Sequence, residues 1–217
     1  MLIKICGITN REDAEAAVAA GSDAIGLIFA PSPRRVTPEQ AAGIVKGLRG
    51  VLKIGVFVDE SPEVIAEIRR CCALDALQLH GHESPETCRR LGGLLIKAFR
   101  VDHESVFARF VDYPAGTLFL LDAFSRQAAG GTGKVIDPAI LDQCPDFSRV
   151  ILAGGVGVEN AASLVDRYAP LGLDANSRLE LAPGKKDHDK MREFVQAVRA
   201  AERLLRAKDS VQPRGNP

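Results

Sequence analysis

The chain has 217 residues, of which 46% are hydrophobic and 26% charged, and its 28 basic and 28 acidic side chains leave no formal net charge. This length fits one domain with a sizeable core, and the balanced charge gives no electrostatic attraction to nucleic acid or to a membrane surface. The longest apolar runs are as short as strands, which excludes membrane-spanning helices. Five cysteines without a C-x-x-C spacing predict a reduced cytoplasmic protein that has no zinc site.

Short apolar segments rich in Val, Ile and Leu recur along the whole chain. They are apolar throughout rather than alternating, which is typical of strands buried on both faces of a parallel sheet. We predict eight such strands, at residues 2–6, 23–29, 52–58, 76–81, 95–101, 118–123, 150–155 and 172–176.

The segments between these strands begin with recognisable helix caps. A hydroxyl side chain accepts a hydrogen bond from a free backbone N–H of the first turn, and a proline directly after it has no N–H to leave unpaired. A Glu or Gln three residues after the cap completes a capping box. We predict N-caps at Thr37, Ser61 and Ser84, and capping boxes that pair Thr9 with Glu12 and Thr37 with Gln40.

The spacing of the three N-caps defines a repeating unit. They stand 24 and 23 residues apart, about one strand and one helix each, and eight such units use almost the whole chain. This pattern predicts a single (β/α)8 TIM barrel over residues 1–206, with an open doubly wound sheet as the alternative. Residues 207–217 are polar with two prolines and are expected to form a disordered tail.

Chemistry in this fold gathers at the carboxyl ends of the strands, where the sequence places Cys6, His80 and Asp122. Cys6 is either a small buried hydrophobe or a base. His80 is either a packed imidazole or a substrate contact. Asp122 closes an apolar strand, where an unpaired buried carboxylate is costly, so it should face the open mouth or a ligand. The four histidines show no spacing typical of metal ligands, and we predict no metal site.

Two segments indicate a phosphate site. Gly154 and Gly155 follow the seventh strand, where they can bring backbone N–H groups close to an anion or simply form a tight turn. After the eighth strand, "NSRLE" with Ser177 and Arg178 predicts a short helix whose N-terminus faces the same place. The "GGTGK" segment at 130–134 fails the nucleotide-binding P-loop pattern and is expected to be a mobile flap over the mouth.

The motifs together resemble one family. "KICGIT", "QLHG", "LLDA" followed by "GGTGK", "LAGG" and the closing "PGKKD" stand in the order found in the phosphoribosylanthranilate isomerases of tryptophan biosynthesis, over about residues 3–195. The resemblance implies an Amadori rearrangement of N-(5-phosphoribosyl)anthranilate without a cofactor. It also implies that Cys6 is the general base and Asp122 the general acid.

The resemblance further implies how the substrate is held. Arg35 matches the arginine that binds the anthranilate carboxylate, and Asp174 matches a polar residue near the ribose or amine. Gly154, Gly155 and Ser177 match the phosphate site. The chain departs from the family at Arg178, where glycine is expected. A side chain there would be strained if the backbone needed a positive φ, or it would add a cationic contact to the phosphate or to a neighbouring loop.

Other readings of the same residues stay open. A different phosphosugar isomerase would need other groups at the strand ends, such as aspartates where Cys6 and Arg100 stand. A non-catalytic phosphate-binding barrel would keep the glycine loops but has no need of Cys6 and Asp122 together. A cysteine hydrolase would need a histidine beside Cys6. The expected partner is a small phosphosugar, and the chain is expected to be a monomer or a homodimer.

Overall fold

The computed structural model describes residues 1–123 and 135–211, and its eight main strands close into a barrel. Each strand pairs in parallel with the next along the chain, and β1 pairs with β8. The predicted TIM barrel is therefore confirmed. The strands are β1 (Leu2–Ile5), β2 (Ala24–Ile28), β3 (Leu52–Phe57), β4 (Ala76–Leu79), β5 (Leu94–Val101), β6 (Leu118–Ala123), β7 (Val150–Leu152) and β8 (Gly172–Ala175).

Helices cover the outside of the barrel, and the unit after β5 departs from the regular pattern. A 3₁₀ helix (Glu104–Asp112) follows β5, because Phe107 and Phe110, three residues apart, both turn towards the core. The α-helices are α1 (Arg11–Ala20), α2 (Pro38–Val45), α3 (Pro62–Cys71), α4 (Pro85–Leu91), α5 (Pro138–Leu141), α6 (Val158–Tyr168) and α7 (His188–Val211). None of the helices in the described part of the chain is long and apolar enough to cross a membrane.

The helix caps confirm the sequence reading at four of the five predicted features. Thr37, Ser61 and Ser84 are N-caps, and Thr37 forms the capping box with Gln40. The capping box at Thr9 is wrong, because Asn10 caps α1. The Thr9 hydroxyl instead donates to the carbonyl oxygen of Gly184 at 2.5 Å and ties the first loop to the last one.

The end of the chain differs from the sequence expectation. After β8, a 3₁₀ helix (Ser177–Leu179) leads into a hairpin of β9 (Glu180–Ala182) and β10 (Lys185–Lys186). Helix α7 continues to Val211 and so takes in the first five residues of the segment expected as a tail, because no proline interrupts it before residue 213. The predicted flap at 130–134 and residues 212–217 lie outside the described residues.

Two apolar layers hold the barrel together. The outer layer lies between the strands and the helices, and the inner one fills the barrel interior with residues such as Ile54, Ile96, Leu120 and Ile151. Alternate residues of each strand point inward. Several of the upper inward positions carry polar or reactive side chains, among them Gln78, Asp122 and Asp174, so the same alternation that builds the core delivers the site residues to one end of the barrel.

Candidate active site

A cavity of about 330 Å³ opens at the carboxyl ends of the strands. This volume suits a small phosphorylated ligand. Seven of the nine predicted site residues line it: Cys6, His80, Asp122, Gly154, Gly155, Asp174 and Ser177. Arg35 and Arg178 are the two predicted residues that lie outside the lining of this cavity.

Cys6 sits directly after β1, buried beneath the cavity with 5% of its surface exposed. The side chain of Lys4, two residues earlier on the same face of β1, is fully buried and donates from Nζ to Asp174 Oδ2 at 2.8 Å. Burial raises the pKa of the Cys6 thiol, and the Lys4 ammonium is the strongest influence that opposes this rise. The thiol therefore lies in a dry site beside a buried cation.

Asp122 ends β6 on another side of the cavity, where it meets His80. The Nε2 atom of His80 lies 3.3 Å from Asp122 Oδ2, and both side chains are partly exposed to the cavity. Gln78 Nε2 lies 2.9 Å from His80 Nδ1. Because an amide nitrogen only donates, His80 accepts at Nδ1 and presents its ring proton at Nε2 to the Asp122 carboxyl group.

The glycine turn after β7, where the sequence predicted a phosphate cradle, borders the cavity. Gly154 and Gly155 both have positive φ, at 72° and 65°. A side chain on Gly154 would collide with the backbone nitrogen of Ala123 and lie 2.7 Å from Asp122 Oδ1, so only glycine fits there. Backbone N–H groups of this turn and of the 3₁₀ helix at Ser177 border the same end of the cavity.

Asn160 fixes the shape of the glycine turn. Its side-chain nitrogen donates to the carbonyl oxygen of Gly155 at 2.9 Å, and its side-chain oxygen accepts from the backbone N–H of Gly157, also at 2.9 Å. The glycine turn is thus held in place from the first turn of α6.

Arg34, and not the predicted Arg35, lines the cavity. Arg34 is buried and forms a two-bond ion pair with Glu180, from Nε to Oε1 at 2.8 Å and from Nη2 to Oε2 at 2.6 Å. Arg35 is exposed and lines a neighbouring cavity instead. The choice between adjacent arginines depends on the loop conformation, which the sequence pattern did not reveal.

Arg178 is exposed and lies outside the cavity lining. Its Cβ and Cγ lie beside Gly157, where a side chain on that glycine would meet them at 2.9 and 3.3 Å. Arg178 is not among the described non-glycine residues with positive φ, so the strain anticipated at this position is absent. Its side chain packs against the loop before α6 instead of entering the phosphate cradle.

Sequence reasoning missed several residues that complete the site. Lys186, from the "PGKKD" segment, is buried and donates to Asn176 Oδ1 at 2.9 Å and to Glu180 Oε1 at 3.0 Å. Gln78 and Asp174 each keep one buried side-chain oxygen without a partner among the described residues, and both line the cavity. The inward period of two along β1 and β4 was the signal that could have identified Lys4 and Gln78.

Comparison with known proteins agrees with this site. Residues 3–197 match the family model described as N-(5'-phosphoribosyl)anthranilate (PRA) isomerase. The protein named N-(5'-phosphoribosyl)anthranilate isomerase from Pelobacter propionicus is 45% identical over 199 residues, which cover 91% of this chain and 95% of that one.

Solved structures agree as well. The phosphoribosyl anthranilate isomerase of Thermus thermophilus superposes with a TM-score of 0.83 at 36% identity, covering 92% of this chain and 99% of that one. A phosphoribosyl anthranilate isomerase in complex with reduced 1-(o-carboxyphenylamino)-1-deoxyribulose 5-phosphate gives a TM-score of 0.78 at 38% identity, with the same coverage. The barrel, the cavity residues and these matches agree, and the chain belongs to the N-(5'-phosphoribosyl)anthranilate isomerase family.

Proposed function

We propose that this chain converts N-(5-phosphoribosyl)anthranilate into 1-(2-carboxyphenylamino)-1-deoxyribulose 5-phosphate, the isomerase step of tryptophan biosynthesis, and that Cys6 and Asp122 carry the proton transfers. One observation supports the assignment above the others: a buried thiol directly after β1 and a carboxyl group on β6 line a single cavity together with the glycine turn at Gly154 and Gly155, which suits a phosphate. A barrel that only bound a phosphorylated ligand would need the cradle but neither reactive group.

Asp122 acts first, as the general acid. In its protonated form it gives a proton to the furanose ring oxygen, the C1'–O4' bond breaks, and the nitrogen lone pair forms an iminium at C1'. Asp122 is left as a carboxylate that faces the Nε2–H of His80 at 3.3 Å. His80 therefore stabilises the charge that appears as the proton leaves, which is the form of support that general acid catalysis requires.

Cys6 acts second, as the general base. Its thiolate removes the C2' proton, the C–H electrons form a C1'–C2' double bond, and the iminium electrons return to nitrogen. The resulting enolamine tautomerises to the ketone. Burial raises the pKa of Cys6, so the thiolate needs the nearby positive charges to form.

The remaining groups hold the substrate. Arg34 uses Nε and Nη2 for Glu180, which leaves Nη1 free to donate to the anthranilate carboxylate. The unpartnered Asp174 oxygen accepts from the substrate amine or a ribose hydroxyl, and Gly154, Gly155 and Ser177 bind the phosphate. The five unpaired cysteines fit the reducing cytoplasm where this reaction takes place.

The test is turnover of freshly generated phosphoribosylanthranilate, followed by the loss of anthranilate fluorescence without added metal or cofactor. We expect the wild type to be active, and Cys6→Ala and Asp122→Asn to lose about 10²–10⁴-fold in kcat while they still bind a reduced product analogue. Cys71→Ser, which removes an exposed thiol on α3, is the matched control and should retain full activity. An inert wild type would overturn the assignment of the substrate.

A further inference from the structure

Lys4 is a buried charged side chain for which the proton transfers above give no role. It lies in the barrel interior with none of its surface exposed, at the strand pairing that joins β1 to β8 and sets Lys4 opposite Asp174. An ammonium group in such a place is strongly destabilising unless it is paired. Its contacts therefore indicate why this chain keeps a lysine in its core.

The ammonium has two partners. Asp174 Oδ2 accepts its hydrogen bond at 2.8 Å, and the Cys6 sulfur lies near it as the second group whose charge acts on the ammonium. Gly26 on β2 gives them room, because a Cβ atom there would lie 2.6 Å from the Cys6 sulfur and 3.1 Å from Lys4 Nζ. A residue larger than glycine at position 26 would therefore collide with the Cys6 sulfur and crowd the Lys4 ammonium.

We propose that Lys4 is a positioning residue of the isomerase: its ammonium, anchored by Asp174, stabilises the negative charge on the Cys6 sulfur when Cys6 acts as the base. This inference rests on the proposed function for its catalytic meaning. The coupling between Lys4 and the Cys6 thiolate is itself a physical property of the protein that can be measured without substrate.

Four charged groups act on Cys6 from the surrounding elements: Lys4 on β1, Asp174 on β8, Arg34 after β2, and Lys186 on β10. Arg34 and Lys186 are both committed to Glu180, at 2.6 and 3.0 Å. Asp174 opposes thiolate formation because it is an anion. Lys4 is also paired, with Asp174 at 2.8 Å, but it lies nearest in the chain on the same face of β1 and is the cation with the largest opposing influence on the sulfur.

The directions of the pKa shifts agree with this arrangement. Burial lowers the pKa of Lys4, but the charges of Asp174 and Cys6 outweigh it and the net shift is upward. Lys4 thus stays an ammonium group across the pH range in which a thiol titrates. Burial raises the pKa of Cys6, and among the opposing influences the charge of Lys4 is the largest.

The test measures the rate of iodoacetamide alkylation at Cys6 from pH 6 to 10, with peptide mass spectrometry to quantify each cysteine. Thiolate alone reacts, so the rate reports the charged fraction of the sulfur. We expect Lys4→Met to slow Cys6 alkylation at pH 8 by about tenfold or more, and Asp174→Asn to accelerate it, because an opposite or like charge at this range shifts a pKa by about one unit or more. Cys71, exposed on α3, is the internal control and should react alike in all variants.

Two further variants protect the test against misfolding. Lys4→Arg keeps the charge and should retain most of the Cys6 reactivity, and Lys4→Met with Asp174→Asn removes both charges, so neither remains buried alone. All variants are checked by circular dichroism before alkylation. If folded variants without Lys4 show the same pH profile of Cys6 alkylation as the wild type, the proposal is overturned, because a merely structural ion pair predicts that result.

Measurements of turnover distinguish a failure of the Lys4 proposal from a failure of the proposed isomerase function. In Lys4→Met we expect kcat to fall in step with the thiolate fraction and to recover as the pH rises, with the affinity for the reduced product analogue unchanged. A wild type that shows the expected alkylation pattern but no turnover would overturn the isomerase role, including that of Lys4, and leave the charge coupling established. Normal turnover with a pH profile of kcat unaffected by Lys4→Met would overturn the Lys4 proposal alone.

Discussion

The two sides of the cavity support their reactive groups in opposite ways. On the base side, Cys6 stands over a fully buried cation, Lys4, that is paired with Asp174. On the acid side, Asp122 meets His80, which is in turn hydrogen-bonded to the neutral amide of Gln78. The side chains of Asp122 and His80 are both partly exposed to the cavity. Cys6 after β1 and His80 after β4 each have a polar side chain two positions earlier on the same inward face of the strand, Lys4 and Gln78 respectively.

The difference follows from the charges that the two steps create. A base that starts as a neutral thiol becomes an anion in a dry site and needs a cation beside it. An acid that must keep its proton until the substrate binds is better served by a neutral donor, which stabilises the carboxylate afterwards without expelling the proton in advance. Substitutions on the two sides of the cavity test this division between charged and neutral support.

The largest effect is expected where the acid side meets the phosphate cradle, at Gly154→Ala. The added Cβ would collide with the Ala123 backbone and crowd Asp122 Oδ1, so it displaces the acid and the glycine turn together. Displacement of reacting groups by about an ångström costs about 100-fold in rate, and we expect a loss of that size in kcat/KM.

The matched control is Gly47→Ala. Gly47 has nearly the same φ, 70°, but no atom lies within 4 Å of the added Cβ. It should lose only the stability that a positive φ costs, about 1 kcal/mol, with unchanged kcat/KM. Equal losses of activity in the two variants would show that backbone strain, and not the close approach to Asp122, controls the site.

On the base side, Arg34→Met tests the carboxylate contact. Loss of a charged hydrogen bond of about 1.5–3 kcal/mol should raise KM by about 10- to 100-fold, with a smaller change in kcat, as measured by steady-state fluorescence kinetics. Arg35→Met on the exposed side of the loop is the control and should leave KM within about twofold of the wild type. An effect of Arg35→Met equal to that of Arg34→Met would restore the assignment made from sequence.

The neutral support of the acid should matter less than the charged support of the base. We expect His80→Ala to lower kcat by about tenfold, because Asp122 loses a neutral hydrogen-bond donor. Gln78→Leu should lower kcat by less, since His80 remains and loses only the contact that fixes which of its ring nitrogens carries the proton. Both effects should be smaller than that of Lys4→Met in the same kcat assay at pH 7. A loss in Gln78→Leu that exceeds the loss in Lys4→Met would contradict the division between charged and neutral support.

The smallest effect concerns stability on the base side. Burial tends to raise the pKa of Glu180, but hydrogen bonds from Arg34 and Lys186 outweigh it, so its folded pKa is lowered from 4.5. A carboxyl group of this kind stabilises the fold above its unfolded pKa and loses that contribution as the pH falls through the folded pKa. Glu180→Gln should therefore melt a few degrees, about 2–4 °C, below the wild type at pH 7, with the gap closing below about pH 4. A difference in melting temperature that does not change with pH would show that Glu180 stabilises the fold through packing and not through its charge.

The sequence by itself determined the barrel, most of its caps and the location of the mouth. Apolar strand segments, N-caps at Thr37, Ser61 and Ser84 and the repeat length are properties of short segments, and they lead to one architecture because parallel strands must be buried on both faces. Cys6, His80 and Asp122 followed from the strand ends, since every strand of a barrel delivers its last residues to the same rim. The proton-transfer roles came from the resemblance to a family.

Tertiary structure decided which polar groups meet. Arg34 rather than Arg35 enters the site because Glu180, 146 residues away, holds it, and Lys4 meets Asp174 across 170 residues only when β8 closes against β1. Thr9 likewise lost its expected cap to Asn10 and bonds the last loop instead. Local patterns carry no information about such partners, because the energy of a buried charge depends on what the closed barrel places beside it.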